Sequence, residues 1–393
     1  MKKMLISLLV VLLITSAALY AFAPHVPSVP KQVKSKAELE SYLNQLVASG
    51  NPPGLSVVVV KDDQVVYSNA FGYADGPQKI KATPETVYHW WSMTKIPTAV
   101  AVMHLQEQGK LNIDDLVTQH LPWFEVRYPS AASQPLTIRH LLQHSSGLPD
   151  TVPAMIGWVH YDDATPNQTD VVKKYLPEFN TLKFEPGTQA VYSNLNYMVL
   201  GAVIEAASSQ SYESYISEHI LQPLGMSQTS FVYSSSMVEH AAAGAQPVVH
   251  FYTPLLPAML DTKALIRERD GQLLWMNRFY IEATPSTGLI GPVSDVAKFM
   301  RMYLNDGSFN GETILSPESI SALTTTAPID TRGLGWYINE SNGERYIDHA
   351  GGGAGFATIM RLYPDSNLGI AILANSTDLD REGLVDRLKS LDF

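Results

Sequence analysis

Apolar residues at Leu39, Tyr42, Leu43, Leu46 and Val47 follow a 3.6-residue repeat, which predicts a helix with one buried face. Ser35 and Glu38 offer a capping box ahead of it, and Gly50 a stop behind it. The pattern then changes. Leu55–Val60 and Val65–Ala70 are β-branched runs split by Lys61-Asp62-Asp63-Gln64, the layout of an antiparallel hairpin. A helical stretch follows from about Met93 to Gln108, ahead of Gly109. The region from 110 to 284 is loop-rich with many prolines, and its clearest helices are Met198–Ala207 and Tyr212–Leu221. Strand-like runs return at Leu334–Ile338, Tyr346–His349, Phe356–Tyr363 and Leu368–Ala374, with a turn at Pro364-Asp365-Ser366-Asn367. A short helix near Asp380–Leu388 closes the chain.

Strands at both ends with helices between them predict an α/β (α+β) fold. Its antiparallel sheet is built from residues 35–109 and 285–393, is flanked by helices, and carries a mostly helical insertion over 110–284. No self-similarity at a period of 20–50 residues is visible, which disfavours a solenoid or propeller.

The N-terminus has a different character. Lys2 and Lys3 precede an uncharged, mostly apolar run from Met4 to Ala23 that ends in Ala21-Phe22-Ala23, the layout of a secretory signal. Pro24 is a poor residue to follow a cleavage point, and the run is long enough to span a bilayer. Residues 1–23 therefore read as a signal peptide or a membrane anchor. Either way the remainder is exported, to the periplasm or the exterior. Pro24, Pro27 and Pro30 make 24–34 a Pro-rich spacer before a folded domain at 35–393.

Composition narrows the function classes. With 27 Lys and Arg against 38 Asp and Glu, the net charge is −11, so no nucleic-acid partner is expected. The chain has no cysteine, which removes a thiol nucleophile, a disulfide framework and Cys-ligated metals. His140 and His144 are spaced as helix-borne zinc ligands would be, but no third ligand accompanies them and no metal is expected.

Three stretches carry chemistry. Ser92-Met93-Thr94-Lys95 puts a hydroxyl and an amine one helical turn apart, so the lysine can act as base if burial lowers its pKa. Tyr192-Ser193-Asn194 offers a phenol that a neighbouring lysine would acidify, and an amide that can hold a substrate carbonyl and the lysine together. His349-Ala350-Gly351 runs into Gly352 and Gly353, where missing side chains allow close approach to the backbone.

In order and spacing these stretches resemble the superfamily of class C β-lactamases and penicillin-binding proteins, which includes D,D-carboxypeptidases, D-amino-acid peptidases and family VIII carboxylesterases. The resemblance extends through Gly109–Asp115, Leu136–Leu142, His144–Pro149, Pro223–Met226 and Ser286–Leu289. It implies an acyl-enzyme cycle without cofactors on a small ester, peptide or β-lactam. Ser92 is the implied nucleophile, Lys95 its base and Tyr192 the proton relay. Asn194, His349, Gly351 and Gly352 bind substrate, and the N–H groups of Ser92 and Gly352 form the oxyanion hole.

Two departures bear on substrate. His349 stands where relatives have lysine and Ala350 where they have threonine, so a substrate carboxylate finds less charge and one hydroxyl fewer. The expectation is an esterase-like preference. The alternatives are a peptidase or β-lactamase, and a silent module that binds peptidoglycan or a partner protein. Trp90 and Trp91 either narrow the pocket or pack in the core.

Overall fold

Valines and isoleucines buried on both sides give strands that read as unbroken apolar runs, and the centre of this protein is built from such strands. The computed structural model describes residues 27–151, 158–250, 253, 256–259, 261–327, 329, 331–341 and 343–393. Residues 1–23, expected to be a signal peptide or membrane anchor, lie outside the described residues, and among those described no helix is long and apolar enough to cross a membrane.

Helix α1 (Lys36–Ala48) begins at Ser35, whose Oγ accepts from the Glu38 N–H. The Glu38 carboxylate accepts from the Lys34 N–H, one residue upstream of a standard capping box. Strands β1 (Gly54–Lys61) and β2 (Gln64–Asp75) form the expected hairpin through Asp62 and Asp63. Both aspartates have positive φ, 49° and 60°, as a two-residue turn matched to the strand twist requires. Strand β3 (Ile80–Lys81) pairs with β2. Next come α2 (Lys95–Glu107), α3 (Gln168–Phe179), α4 (Asn194–Ser208) and α5 (Val293–Leu304). The C-terminal part supplies β4 (Tyr337–Ser341), β5 (Glu344–Gly353), β6 (Phe356–Tyr363), β7 (Leu368–Ala374) and α6 (Arg381–Lys389).

The sheet order is β4-β5-β6-β7-β1-β2-β3, every neighbouring pair antiparallel, so β1 from one end of the chain pairs with β7 from the other. The expected antiparallel sheet, built from both ends of the chain and flanked by helices, is the observed one. Leu55, Val57 and Val59 face an outer layer made by α1 and α6, whereas Val58 and Val60 face an inner layer containing α2, α4 and α5. The proline-rich segment joins the outer layer. Val33 is buried there, Val29 packs beside it, and the Pro27 carbonyl accepts from the Tyr42 hydroxyl.

Three expectations need correction. The strand read at Leu334–Ile338 begins at Tyr337 instead. Leu334 and Trp336 are buried in a bend that Gly335 makes at φ 93°, so they are apolar for burial, not for pairing. Helix α4 starts at Asn194, four residues before the apolar run that marked it. The middle region also holds a small sheet, Ala245–Pro247, Ile266–Asp270 and Leu273–Met276, where only helices and loops were expected.

Candidate active site

A tight turn at Trp91–Thr94 delivers the chain into α2, putting Ser92 at the junction and Lys95 at the first helical position. The turn is held on two sides. The Thr94 hydroxyl accepts from the Leu289 N–H (3.1 Å), and the Thr98 hydroxyl donates to the Pro285 carbonyl (2.7 Å). Trp90 and Trp91 are both buried, which settles their role as packing. Trp91 has φ 49°, strained for so bulky a residue, and its indole fills the space where a Cβ on Gly353 would lie 2.4 Å from the ring. A Cβ on Gly351 would lie 2.0 Å from the Trp90 carbonyl oxygen. Gly351 and Gly353 thus let β5 press against the segment that carries Ser92, and Gly352 lies exposed between them.

Lys95 is completely buried. Its Nζ lies 2.8 Å from Asn194 Oδ1, 2.9 Å from the Ser286 carbonyl oxygen and 3.4 Å from Ser92 Oγ. The first two are pure acceptors. A neutral amine has two protons to give them and a lone pair left for the serine, so this arrangement suits an uncharged lysine. Burial brings its pKa from 10.5 down to about 7, against a smaller upward pull from Asp150. Tyr192 donates to Ser92 Oγ at 2.8 Å. The expected acidification of this phenol is not found. Burial pushes its pKa up, outweighing the opposing hydrogen bond with Ser92, and the burial that should make it feel a cation has lowered the Lys95 pKa to about 7 instead.

Asn194 is aimed by Asp150, which accepts from both its N–H and its Nδ2, each at 3.1 Å, leaving Oδ1 for the lysine. His349 sits on β5 with 2% of its surface exposed, its ring edge-on to Tyr337. Burial holds its pKa near 3, helped by Lys95, so it is neutral at physiological pH. A cleft of about 480 Å³ runs along this strand, lined by Tyr192, Tyr337, Asp348, His349 and Glu382 among others. Ser92, Lys95, Tyr192 and Asn194 therefore meet directly, and His349 lies along the adjoining strand.

Three participants were not singled out as site residues in the sequence. Asp150 looks like a turn residue after Pro149, and Ser286 contributes only a main-chain carbonyl. Arg381, at the start of α6, donates from Nη1 to the Gly351 carbonyl and packs over Gly352 from the outer side. The two histidines of the zinc-like spacing are held by hydrogen bonds to other residues of the chain. His140 Nδ1 accepts from the Thr137 N–H, and His144 Nδ1 accepts from the Ser193 N–H while its ring lies 4.6 Å from that of Tyr192. No cluster of potential metal ligands occurs among the described residues.

The chain resembles known proteins over most of its length. It is 28% identical over 361 residues to Protein flp of Staphylococcus aureus (strain MW2), covering 91% of this chain and 66% of that protein, so it spans slightly less than two thirds of that relative. It is 30% identical over 333 residues to Penicillin-binding protein 4* of Bacillus subtilis (strain 168), covering 82% of this chain and 68% of that protein. The octameric penicillin-binding protein homologue from Pyrococcus abyssi superposes with a TM-score of 0.69 at 28% identity, over 88% of this chain and 74% of that one. The D-amino acid amidase from Ochrobactrum anthropi SV3 shares the fold, with a TM-score of 0.73 at 22% identity over 89% of this chain and 97% of that one. The family model described as Beta-lactamase matches residues 39–392, from the first core leucine of α1 to the last residues of the chain, and the protein is accordingly a member of the Beta-lactamase family.

Proposed function

We propose that this protein is an exported serine hydrolase that cleaves an ester or amide through an acyl-enzyme on Ser92. The observation that carries the proposal is a fully buried Lys95 with its Nζ 3.4 Å from Ser92 Oγ and its other two hydrogen bonds to pure acceptors. In the cycle, Lys95 takes the Ser92 proton as Oγ attacks the substrate carbonyl, and the oxyanion is met by the N–H groups of Ser92 and Gly352. Tyr192 keeps its proton at neutral pH and touches the same Oγ, so it is placed to protonate the leaving group. A water then repeats the attack on the acyl-enzyme. Export rests on Lys2, Lys3 and the apolar run to Ala23.

An esterase-like preference is the favoured form of this activity, because neutral His349 brings no positive charge to a substrate carboxylate. Arg381 beside Gly351 supports a second reading, in which that guanidinium grips the carboxylate of a peptide or β-lactam. Hydrolysis of p-nitrophenyl butyrate and nitrocefin by the wild type and Ser92→Ala tests both. The proposal expects turnover that disappears in the variant, with the ester the better substrate. Full activity of Ser92→Ala would remove Ser92 from the mechanism, and a faster rate on nitrocefin would favour the Arg381 reading.

A further inference from the structure

His349 has one nitrogen satisfied and one not. Its Nδ1 lies 2.8 Å from the Ala350 carbonyl oxygen, which can only accept, so Nδ1 carries the proton. In the neutral ring Nε2 is then a bare lone pair. That atom is buried and has no partner among the described residues. A buried acceptor left unmatched is costly unless something arrives to satisfy it. The arrival can come through the cleft that His349 lines. Tyr192 lines the same cleft and touches Ser92 Oγ, so the cleft adjoins the reacting atoms.

Where the cleft reaches the outer side of the sheet, the charge in its wall has the matching sign. Asp348 and Glu382 face a single guanidinium, Arg361, which also reaches Asp386 outside the cleft. Three carboxylates surround that one cation, and Asp348 also feels the charge of Arg381. Arg381, the other nearby guanidinium, is not part of the wall and spends Nη1 on the Gly351 carbonyl.

Resting on the hydrolase reading above, we propose that His349 Nε2 accepts a hydrogen bond from the leaving group of the substrate, and that this group carries a protonated amine. The position that grips a carboxylate in a lysine-bearing relative would here select an N–H donor with positive charge. The substrate class is an ester or amide whose leaving alcohol or amine bears an ammonium group a few bonds from the scissile link.

The test compares four acetate esters by acetate release at pH 7. They are 2-(dimethylamino)ethyl acetate, with charge and an N–H; acetylcholine, with charge alone; 3,3-dimethylbutyl acetate, with neither; and O-acetylglycolate, with a carboxylate. The expected order of kcat/KM is that order, with the first exceeding the neutral ester by about tenfold or more. His349→Phe should bring the first two esters to similar values, and His349→Lys should move the preference toward the carboxylate. Glu382→Gln should lower both charged amines relative to the neutral ester. A wild-type preference for O-acetylglycolate, or equal rates on the first and third esters, would overturn the proposal. Absence of Ser92-dependent hydrolysis of every ester would instead overturn the hydrolase reading on which it rests.

Discussion

Two cations are buried on opposite faces of the same sheet, and their surroundings differ in one respect. Lys95, on the inner side, meets an amide oxygen, a carbonyl and a hydroxyl, none of them charged. Arg361, on the outer side and 3% exposed, is ringed by Asp348, Glu382 and Asp386, and its guanidinium also covers the Tyr346 ring at 4.1 Å. Burial works against the charge in both. For Lys95 it wins and the pKa falls to about 7. For Arg361 burial is the largest single effect, but Asp348 together with Tyr363 and Tyr346 outweighs it and the pKa rises. A buried cation with carboxylates remains an ion and ties elements together; one without them becomes a base.

The largest expected effect separates these roles. Lys95→Met should lower kcat/KM by roughly a thousandfold or more, since the serine loses its base. The same change should leave stability at pH 7 equal or higher, because the unfolded chain gains nothing from a proton the folded state holds poorly. The sign can be checked by titration. Between about pH 7 and 10.4 the unfolded lysine binds a proton that the folded one has lost, so wild-type stability should rise with pH across that window, and this contribution should be missing from Lys95→Met. Equal pH slopes for the two proteins in urea denaturation would contradict a depressed lysine.

Arg361→Met should do the reverse. It leaves Asp348 buried beside two further carboxylates, and a loss of about 3 kcal/mol in chemical denaturation is expected. An unchanged midpoint would mean that the ionic cluster adds nothing to stability.

The smallest effect concerns how Lys95 is tuned. Asp150 raises its pKa slightly, so Asp150→Asn, which keeps an acceptor for Asn194, should move the acid limb of the kcat/KM profile to lower pH. A shift to higher pH would contradict the assigned coupling.

The same contrast explains what could be read in advance. Strands β1, β6 and β7 were legible because burial on both faces leaves unbroken β-branched runs. The start of α4 was not, because its first turn contains Asn194 and Asn196, polar residues held by Asp150, Ser146 and His144 from distant loops. Ser92 with Lys95, and Tyr192 with Asn194, could each be paired in advance because their chemistry resides in side chains at short spacings, and the fold brings the two pairs together. Ser286 was not, since any residue could supply a carbonyl at that place. Arg381 was hidden too: a charge opening the last helix looks like surface until the sheet brings it beside Gly351. The protonation of Tyr192 was misread because acidification assumed a charged lysine, and charge depends on burial that spacing does not reveal.

The central claim, a neutral lysine activating Ser92, is tested most directly by covalent labelling with a fluorophosphonate across about pH 5 to 9, with the adduct located by peptide mass spectrometry. The account predicts a single adduct on Ser92, a labelling rate that rises with pH to half its plateau near pH 7, and a rate at least a hundredfold lower, by an order-of-magnitude estimate, in Lys95→Met. Labelling at another residue, or of Ser92 at the wild-type rate without Lys95, would contradict it.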